Sequence, residues 1–354
     1  MKPIKQAFGD HLILGLEGDS LTDDDRMLLE QFRPIGILFL ERNFLRGVPY
    51  QVWFSRFISL LDEIRELTRR DRLILSIDHE GDRWVRTPSP ITRFPVASLY
   101  RERSFEVGKA TALELASLGL NLSWAPVCDV HSNPTNPIIG PRAFGTTANE
   151  VGEFASEYYR GLRAGGIEGC VKHFPGHGDT SVDSHLALPV VAASEQILLE
   201  REIAAFQSSF RSGVPFVMTA HVQYPALDQK YEATRSKSIL TDLLRSQCGF
   251  NGVVVSDDLE MKAVSSEFCD EQSLESAFLA GCDLFIVSRY IDRGRSFVEK
   301  LAKNFHNIVD SESVALANGR IGKVIDLVPQ PTPILLDKLI FQRHAELALS
   351  LSYL

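Results

Sequence analysis

Gly252-Val-Val-Val-Ser-Asp-Asp258 runs from a turn residue through three β-branched side chains into two adjacent carboxylates. A run this short and this apolar suits a strand covered on both faces, as in a parallel sheet. Seven further runs follow the same plan: Leu12–Leu16, Gly36–Leu40, Leu73–Asp78, Asn121–Pro126, Gly169–Phe174, Phe216–His221 and Leu284–Arg289. The segments between them carry helical period. Thr147-Ala-Asn-Glu150 reads as a capping box, Val151, Phe154, Ala155, Tyr158 and Leu162 follow at helical spacing, and Gly165-Gly166 ends the run. Leu199, Ile203, Phe206 and Phe210 repeat the pattern up to Gly213, and Thr22-Asp-Asp-Asp25 opens a helix after the first strand.

Eight strands alternating with helices predict an α/β fold, a single-domain (β/α)8 barrel of the TIM type; a doubly wound open sheet is the other arrangement this alternation allows. Residues 43–55, 87–104 and 128–148 read as long connections after strands, which explains why the chain exceeds the ~250 residues usual for such a barrel. Residues 1–328 are assigned to the barrel. Residues 329–354 begin Pro-Gln-Pro-Thr-Pro and then turn amphipathic, which predicts an appended C-terminal helix.

Composition narrows the possibilities. The chain has 354 residues, is 44% hydrophobic and 23% charged, and carries a net charge of −9. With no basic cluster, nucleic acid is a poor partner for it. The five cysteines are odd in number, widely spaced and include no C-x-x-C pair, so neither a disulfide framework nor a zinc ribbon is expected. The apolar segment at Leu12–Leu16 is too short for a signal-peptide core, and no run approaches the ~18 apolar residues of a membrane span. A cytoplasmic, non-membrane protein is expected, with no cofactor and no metal.

In such barrels the reactive groups sit at the C-terminal ends of the strands, where the following loops form the pocket. That rule selects Asp78-His-Glu80, Asp129, Lys172-His173, His221, Asp257-Asp258 and Arg289. Carboxylates, a lysine and histidines around one pocket suit a polyhydroxylated ligand or proton transfer. Within Lys172-His-Phe-Pro-Gly-His-Gly-Asp-Thr-Ser-Val-Asp183-Ser-His185, three readings stay open. His173, His177 and His185 with an aspartate suit zinc; Asp183 and His185 suit a proton-transferring pair; and a polar loop bonded to its own backbone suits neither role. Period two sets Val253, Val255 and Asp257 on one face of their strand and Asp258 on the other, so only one of the two aspartates is expected to face the pocket, unless both simply cap the next helix.

Taken together, these stretches resemble glycoside hydrolase family 3, and within it the bacterial β-N-acetylglucosaminidases. The matching segments are Asp78-His-Glu-Gly81 with Arg83 and Arg86, Ala125-Pro-Val-Cys-Asp129, Gly140-Pro-Arg142-Ala-Phe-Gly145, Lys172 through Thr180, Asp183-Ser-His185, Thr219-Ala-His221, Ser256-Asp257-Asp258 and Ala280-Gly-Cys-Asp283. They span roughly residues 10 to 325 in the family's order. The resemblance favours the aspartate–histidine pair over zinc and implies roles at matching positions. Asp257 matches the nucleophile, His185 the acid/base and Asp183 its orienting partner. Asp78, Arg86, Arg142, Lys172 and His173 match residues that bind the N-acetylglucosamine, with His221 further from it. The loop bearing Asp183 and His185 is expected to close over the sugar, with Gly176 and Gly178 as hinges. One departure stands out: the family's second glycine after the glutamate is Asp82 here, and Trp84 follows two positions on.

The resemblance further implies a retaining exo-hydrolase that releases N-acetylglucosamine from peptidoglycan turnover fragments, its substrate a small muropeptide or chitobiose-like sugar, and a monomer is expected. Other readings are a phosphorylase of the same family, a Schiff-base lyase or aldolase using Lys172, and a sugar-binding relative without activity.

Overall fold

The computed structural model describes residues 2–182, 184, 187–289 and 294–351, without the side chains of Cys269 and Glu271. Eight parallel strands close into a barrel in sequence order: β1 (Leu12–Gly15), β2 (Gly36–Phe39), β3 (Ile74–Ile77), β4 (Leu122–Ser123), β5 (Glu168–Phe174), β6 (Phe216–Thr219), β7 (Val253–Asp258) and β8 (Leu284–Val287). The seam is a regular parallel pairing of β1 with β8, Leu12 opposite Phe285. This is the (β/α)8 architecture that the alternation predicts, and it excludes the open sheet.

Both faces of the strands are buried, and alternation sorts their residues. Ile13, Leu38, Ile74, Leu122, Cys170, Phe216, Val253, Val255, Leu284 and Ile286 fill the barrel interior with Trp124 and Met218. Their neighbours Leu12, Leu14, Ile37, Phe39, Leu75, Ile77, Val254 and Phe285 face the surrounding helices. Those helices are α1 (Ile4–Gly9), α2 (Asp23–Phe32), α3 (Tyr50–Thr68), α4 (Ser104–Ser117), α5 (Ala148–Ala164), α6 (195–211, with π-type hydrogen bonding over Leu198–Ile203), α7 (Ser238–Gln247), α8 (Glu271–Ala280), α9 (Gly294–His306) and α10 (Glu312–Ile325). None of them is long and apolar enough to cross a membrane among the described residues.

Local chemistry sets the helix ends. Thr22 and Asp25 form a capping box on α2, and Thr147 and Glu150 form one on α5, each satisfying backbone N–H groups that the first turn leaves without partners. Gly165 caps α5 at its C-terminus, and Gly166 follows in the left-handed region. The first expected long connection, 43–55, is shorter than the sequence implies, because α3 begins at Tyr50. Ile321, Val324 and Val328 join the interior cluster, while Arg320 pairs with Asp283 just before β8, so α10 and the turn after it close the N-terminal end of the barrel.

The expected C-terminal helix spans Lys338–Leu351 (α11). Phe341 meets the Tyr50 ring edge-on at 5.3 Å, His344 Nδ1 bonds Glu114 at 2.7 Å, and Leu351 is fully buried. The tail therefore packs on α3 and α4, on the flank of the barrel.

Candidate active site

At the C-terminal end of the strands lies a cavity of about 630 Å³. Its floor is apolar, made by Leu38, Trp124, Met218 and Ile286 from the barrel interior. Charged side chains form its wall, and these come from the ends of β3, β5 and β7 and from the loops that follow β2, β3 and β4.

One wall is an ion network. Lys172 Nζ lies 2.7 Å from both Asp78 Oδ1 and Glu80 Oε1. Glu80 in turn receives both prongs of Arg142, Nε to Oε2 at 2.7 Å and Nη2 to Oε1 at 2.8 Å. Burial opposes the charge on Glu80, but the Arg142 guanidinium and the Lys172 ammonium outweigh it and hold the carboxyl well below its usual range. The same pairing raises Lys172 and Arg142 against the desolvation that would lower them. Glu80, Lys172 and Arg142 therefore stay ionised, and the fork geometry fixes where Arg142 points. Glu80 holds the network together, a role that reading strand ends for ligand-binding groups does not reveal.

A second cluster is neutral at its tip. Asp129 is completely buried and accepts from His173 Nδ1 at 2.7 Å, from the His173 backbone N–H at 3.1 Å and from the His177 N–H at 2.7 Å. Burial works against its ionisation, and His173 with these donors overcomes it, so the carboxyl titrates below its ordinary value. His177 is lowered to about 4 by burial and by the neighbouring His173. Its Nδ1 is 2.8 Å from Thr180 Oγ1 and its Nε2 is 3.1 Å from Ser184 Oγ. Among the described residues no group of three His, Cys, Asp or Glu could hold a metal ion.

Asp257 borders the cavity on the same strand face as Val253 and Val255, as alternation predicts, but Asp258 borders it too. That corrects the expectation that only one aspartate faces the pocket. The β7–β8 register shifts between Val255 and Asp258, and an irregularity of this kind re-aims side chains at the end of a strand. A similar shift in β5 between Val171 and Phe174 accompanies the exposure of both Lys172 and His173 to the cavity. The two carboxylates are held differently. Asp258 accepts from the Glu260 N–H at 3.1 Å, from the Ser288 N–H at 3.2 Å and from the Ser288 hydroxyl, and burial pushes its carboxyl up. Its own N–H donates to Asp257 Oδ1 at 2.8 Å. Behind them His221 Nε2 donates to the Asp258 carbonyl at 3.2 Å, and His221 Nδ1 accepts from Thr234 Oγ1 at 2.8 Å. His221 thus supports the β7 terminus without lining the cavity.

Of the residues selected from sequence, Asp78, Arg86, Arg142, Lys172, His173 and Asp257 are brought together around this cavity. Arg289 is not: it turns to Asp25 and Glu17 and ties the end of β8 to α2 and to the loop after β1. Asp183 and His185 lie outside the described residues. Ser184, between them, lines the cavity, and its carbonyl accepts from the Ala263 N–H at 3.3 Å. Gly176 and Gly178 are positions of close approach: a Cβ at Gly178 would collide with the Val130 carbonyl, and one at Gly176 with Glu202. Close contact, and at Gly176 a φ of +134°, account for the lack of a side chain at these two positions.

Residues 52–322 match the model for the glycosyl hydrolase family 3 N-terminal domain. The chain belongs to glycosyl hydrolase family 3. Among family members, it is 34% identical over 307 residues to a beta-hexosaminidase of Neisseria meningitidis serogroup C, covering 83% of this chain and 81% of that protein. The fold matches a family 3 β-N-acetylglucosaminidase of Paenibacillus sp. FPU-7 with a TM-score of 0.88 and 32% identity, over 99% of this chain and 68% of that one. It also matches NagZ from Neisseria gonorrhoeae in complex with N-trifluoroacetyl-D-glucosamine, with a TM-score of 0.78 and 29% identity, over 97% and 98% of the two chains.

Proposed function

We propose that this chain, a family 3 glycosidase of the β-hexosaminidase type, is a retaining exo-β-N-acetylglucosaminidase. Asp257 is the nucleophile, His185 the acid/base, and Asp183 the partner that orients the imidazole. The observation that carries the reading is Asp257 at the end of β7, bordering one cavity with the Asp78–Lys172–Glu80–Arg142 network. A retaining hydrolase needs a carboxylate to attack the anomeric carbon while an acid protonates the departing oxygen. The glycosyl–carboxylate ester is then opened by water, with the former acid acting as base. Histidine, with its unperturbed pKa of ~6.5, suits both halves of that cycle near neutral pH.

Asp78, Arg86, Arg142, Lys172 and His173 hydrogen-bond the sugar in this reading. Because Lys172 and Arg142 are held by carboxylates, their donors meet the ligand without first being ordered. The substrate is a small N-acetylglucosamine-terminated sugar, namely a peptidoglycan turnover fragment in which N-acetylglucosamine is linked to an anhydro-muramic acid. The enzyme works as a cytoplasmic monomer, with 1–328 as the catalytic unit and 329–354 as its appended tail.

The test is turnover of aryl β-N-acetylglucosaminides. D257A is expected to abolish it, and near-normal rates in D257A would remove Asp257 as nucleophile. H185A is expected to lose ~10²–10⁴-fold with poor leaving groups and less with activated ones; equal losses on both would remove the acid role. The sugar released in phosphate buffer is expected to be free N-acetylglucosamine, and a sugar phosphate would instead identify a phosphorylase.

A further inference from the structure

The segment between the Asp78-His-Glu80 corner and Arg86 holds a tryptophan whose surroundings set it apart. Trp84 ends the short 3-10 turn Asp82–Trp84 and borders the cavity. Three guanidinium carbons lie near its ring centre: Arg142 at 4.6 Å, Arg83 at 5.1 Å and Arg86 at 5.3 Å. These distances fall within the reach of the attraction between a cation and an aromatic face. The three arginines are otherwise held unequally. Arg142 is fixed by Glu80, whereas the side chain of Arg86 makes no hydrogen bond or ion pair among the described residues. Arg86 nevertheless borders the cavity, and its Nε is buried.

A long side chain with no carboxylate partner adopts many rotamers, and ordering it on ligand binding costs affinity. Among the described residues, the indole is the group that holds Arg86 by an attraction. The same ring meets Arg142, so one indole touches two groups that the proposed reading assigns to sugar binding. A ring crowded by guanidiniums is poorly placed to serve as a stacking platform for the sugar itself. We propose that Trp84 is a positioning residue, which presents Arg86 and Arg142 to the bound N-acetylglucosamine and so sets affinity for the sugar. The inference rests on the hexosaminidase reading of this cavity.

The experiment compares W84F, which keeps an aromatic face, with W84L, which keeps apolar volume without one. Turnover of an aryl β-N-acetylglucosaminide is followed together with the thermal midpoint. W84L is expected to raise KM about five- to thirty-fold with kcat within twofold, the signature of lost binding shared by ground and transition states. W84F is expected to stay within about threefold of wild-type KM, and both variants are expected to melt within a few degrees of wild type. A wild-type KM in W84L, a loss confined to kcat, equal KM losses in W84F and W84L, or a collapse of folding in W84L would each overturn the inference. If the wild type is active and W84L matches it, only the role of Trp84 falls. If the wild type does not turn the substrate over, the hexosaminidase reading falls and takes this inference with it.

Discussion

Asp82 sits at φ +43°, in the left-handed region, where a side chain normally costs roughly 1–2 kcal/mol. It is exposed, and its N–H is already satisfied by the Phe94 carbonyl at 2.7 Å. Asp82→Gly should therefore relieve the strain and lose roughly 0.4–1 kcal/mol to the freer unfolded chain. A net gain of about 0.5 kcal/mol is expected in denaturant melts, with KM unchanged because residue 82 does not border the cavity. A loss of stability, or a shift in KM, would show that the aspartate is needed where it stands. At this scale the sequence was informative about charge and less so about aim. Asp257 and Lys172 were legible because a buried charge at a strand end needs a purpose, whereas Arg142, in the loop after β4, was picked out through the family resemblance. The inward turn of Asp258 was not, because alternation presumes a regular register and β7 departs from it at that residue. Glu80 was visible as a carboxylate, but its part in bracing Lys172 and Arg142 depends on residues 62 and 92 positions away in the chain.

Among the elements, α11 occupies a place that was not legible in the sequence. Its amphipathic pattern and the prolines before it mark a helix, but the surface that receives it belongs to α3 and α4. Phe341 against Tyr50, His344 against Glu114 and the Ile334 N–H to the Ser117 carbonyl at 2.8 Å make that contact. F341A is expected to destabilise the protein by about 3 kcal/mol, as loss of a buried aromatic does, while leaving KM on an aryl glycoside unaltered. Thermal and chemical melts check the first part. A change in KM would mean that the tail communicates with the cavity. The capped helices, by contrast, were legible from Thr22-Asp-Asp-Asp25 and Thr147-Ala-Asn-Glu150, because a capping box is a contact between residues three apart and needs no tertiary information.

For the whole molecule, pH dependence follows from which groups the fold buries. His11, His79 and His177 are lowered to about 4, each chiefly by burial. Unfolding lets them protonate at ordinary values, so the stability they contribute is full above pH ~6.5 and is lost as pH falls toward 4. Glu168 and Glu202 act in the opposite sense, pushed up to about 7 by burial, so that ionising them costs stability as pH rises from ~4.5 to 7. E202Q isolates one of these terms: relative to wild type it should gain about 2 kcal/mol more at pH 8 than at pH 5. Melts at the two pH values check this, and an equal difference at both would refute the assignment. The barrel itself was legible at this scale because each strand is short, apolar and followed by polar residues, whereas the closure of its lower end by α10 was not. The seam between β1 and β8 has one more consequence. Arg42 reaches across it, donating to the carbonyls of Leu16 and Ser288 at 2.6 Å each, and Ile286 and Ser288 help wall the cavity. A ribosome that has delivered everything through β7 has therefore made Asp257 but not the whole wall of the cavity that Asp257 borders. A premature stop codon ahead of residue 284 would yield an unclosed sheet with two open edges, destined for aggregation or proteolysis rather than for weak catalysis.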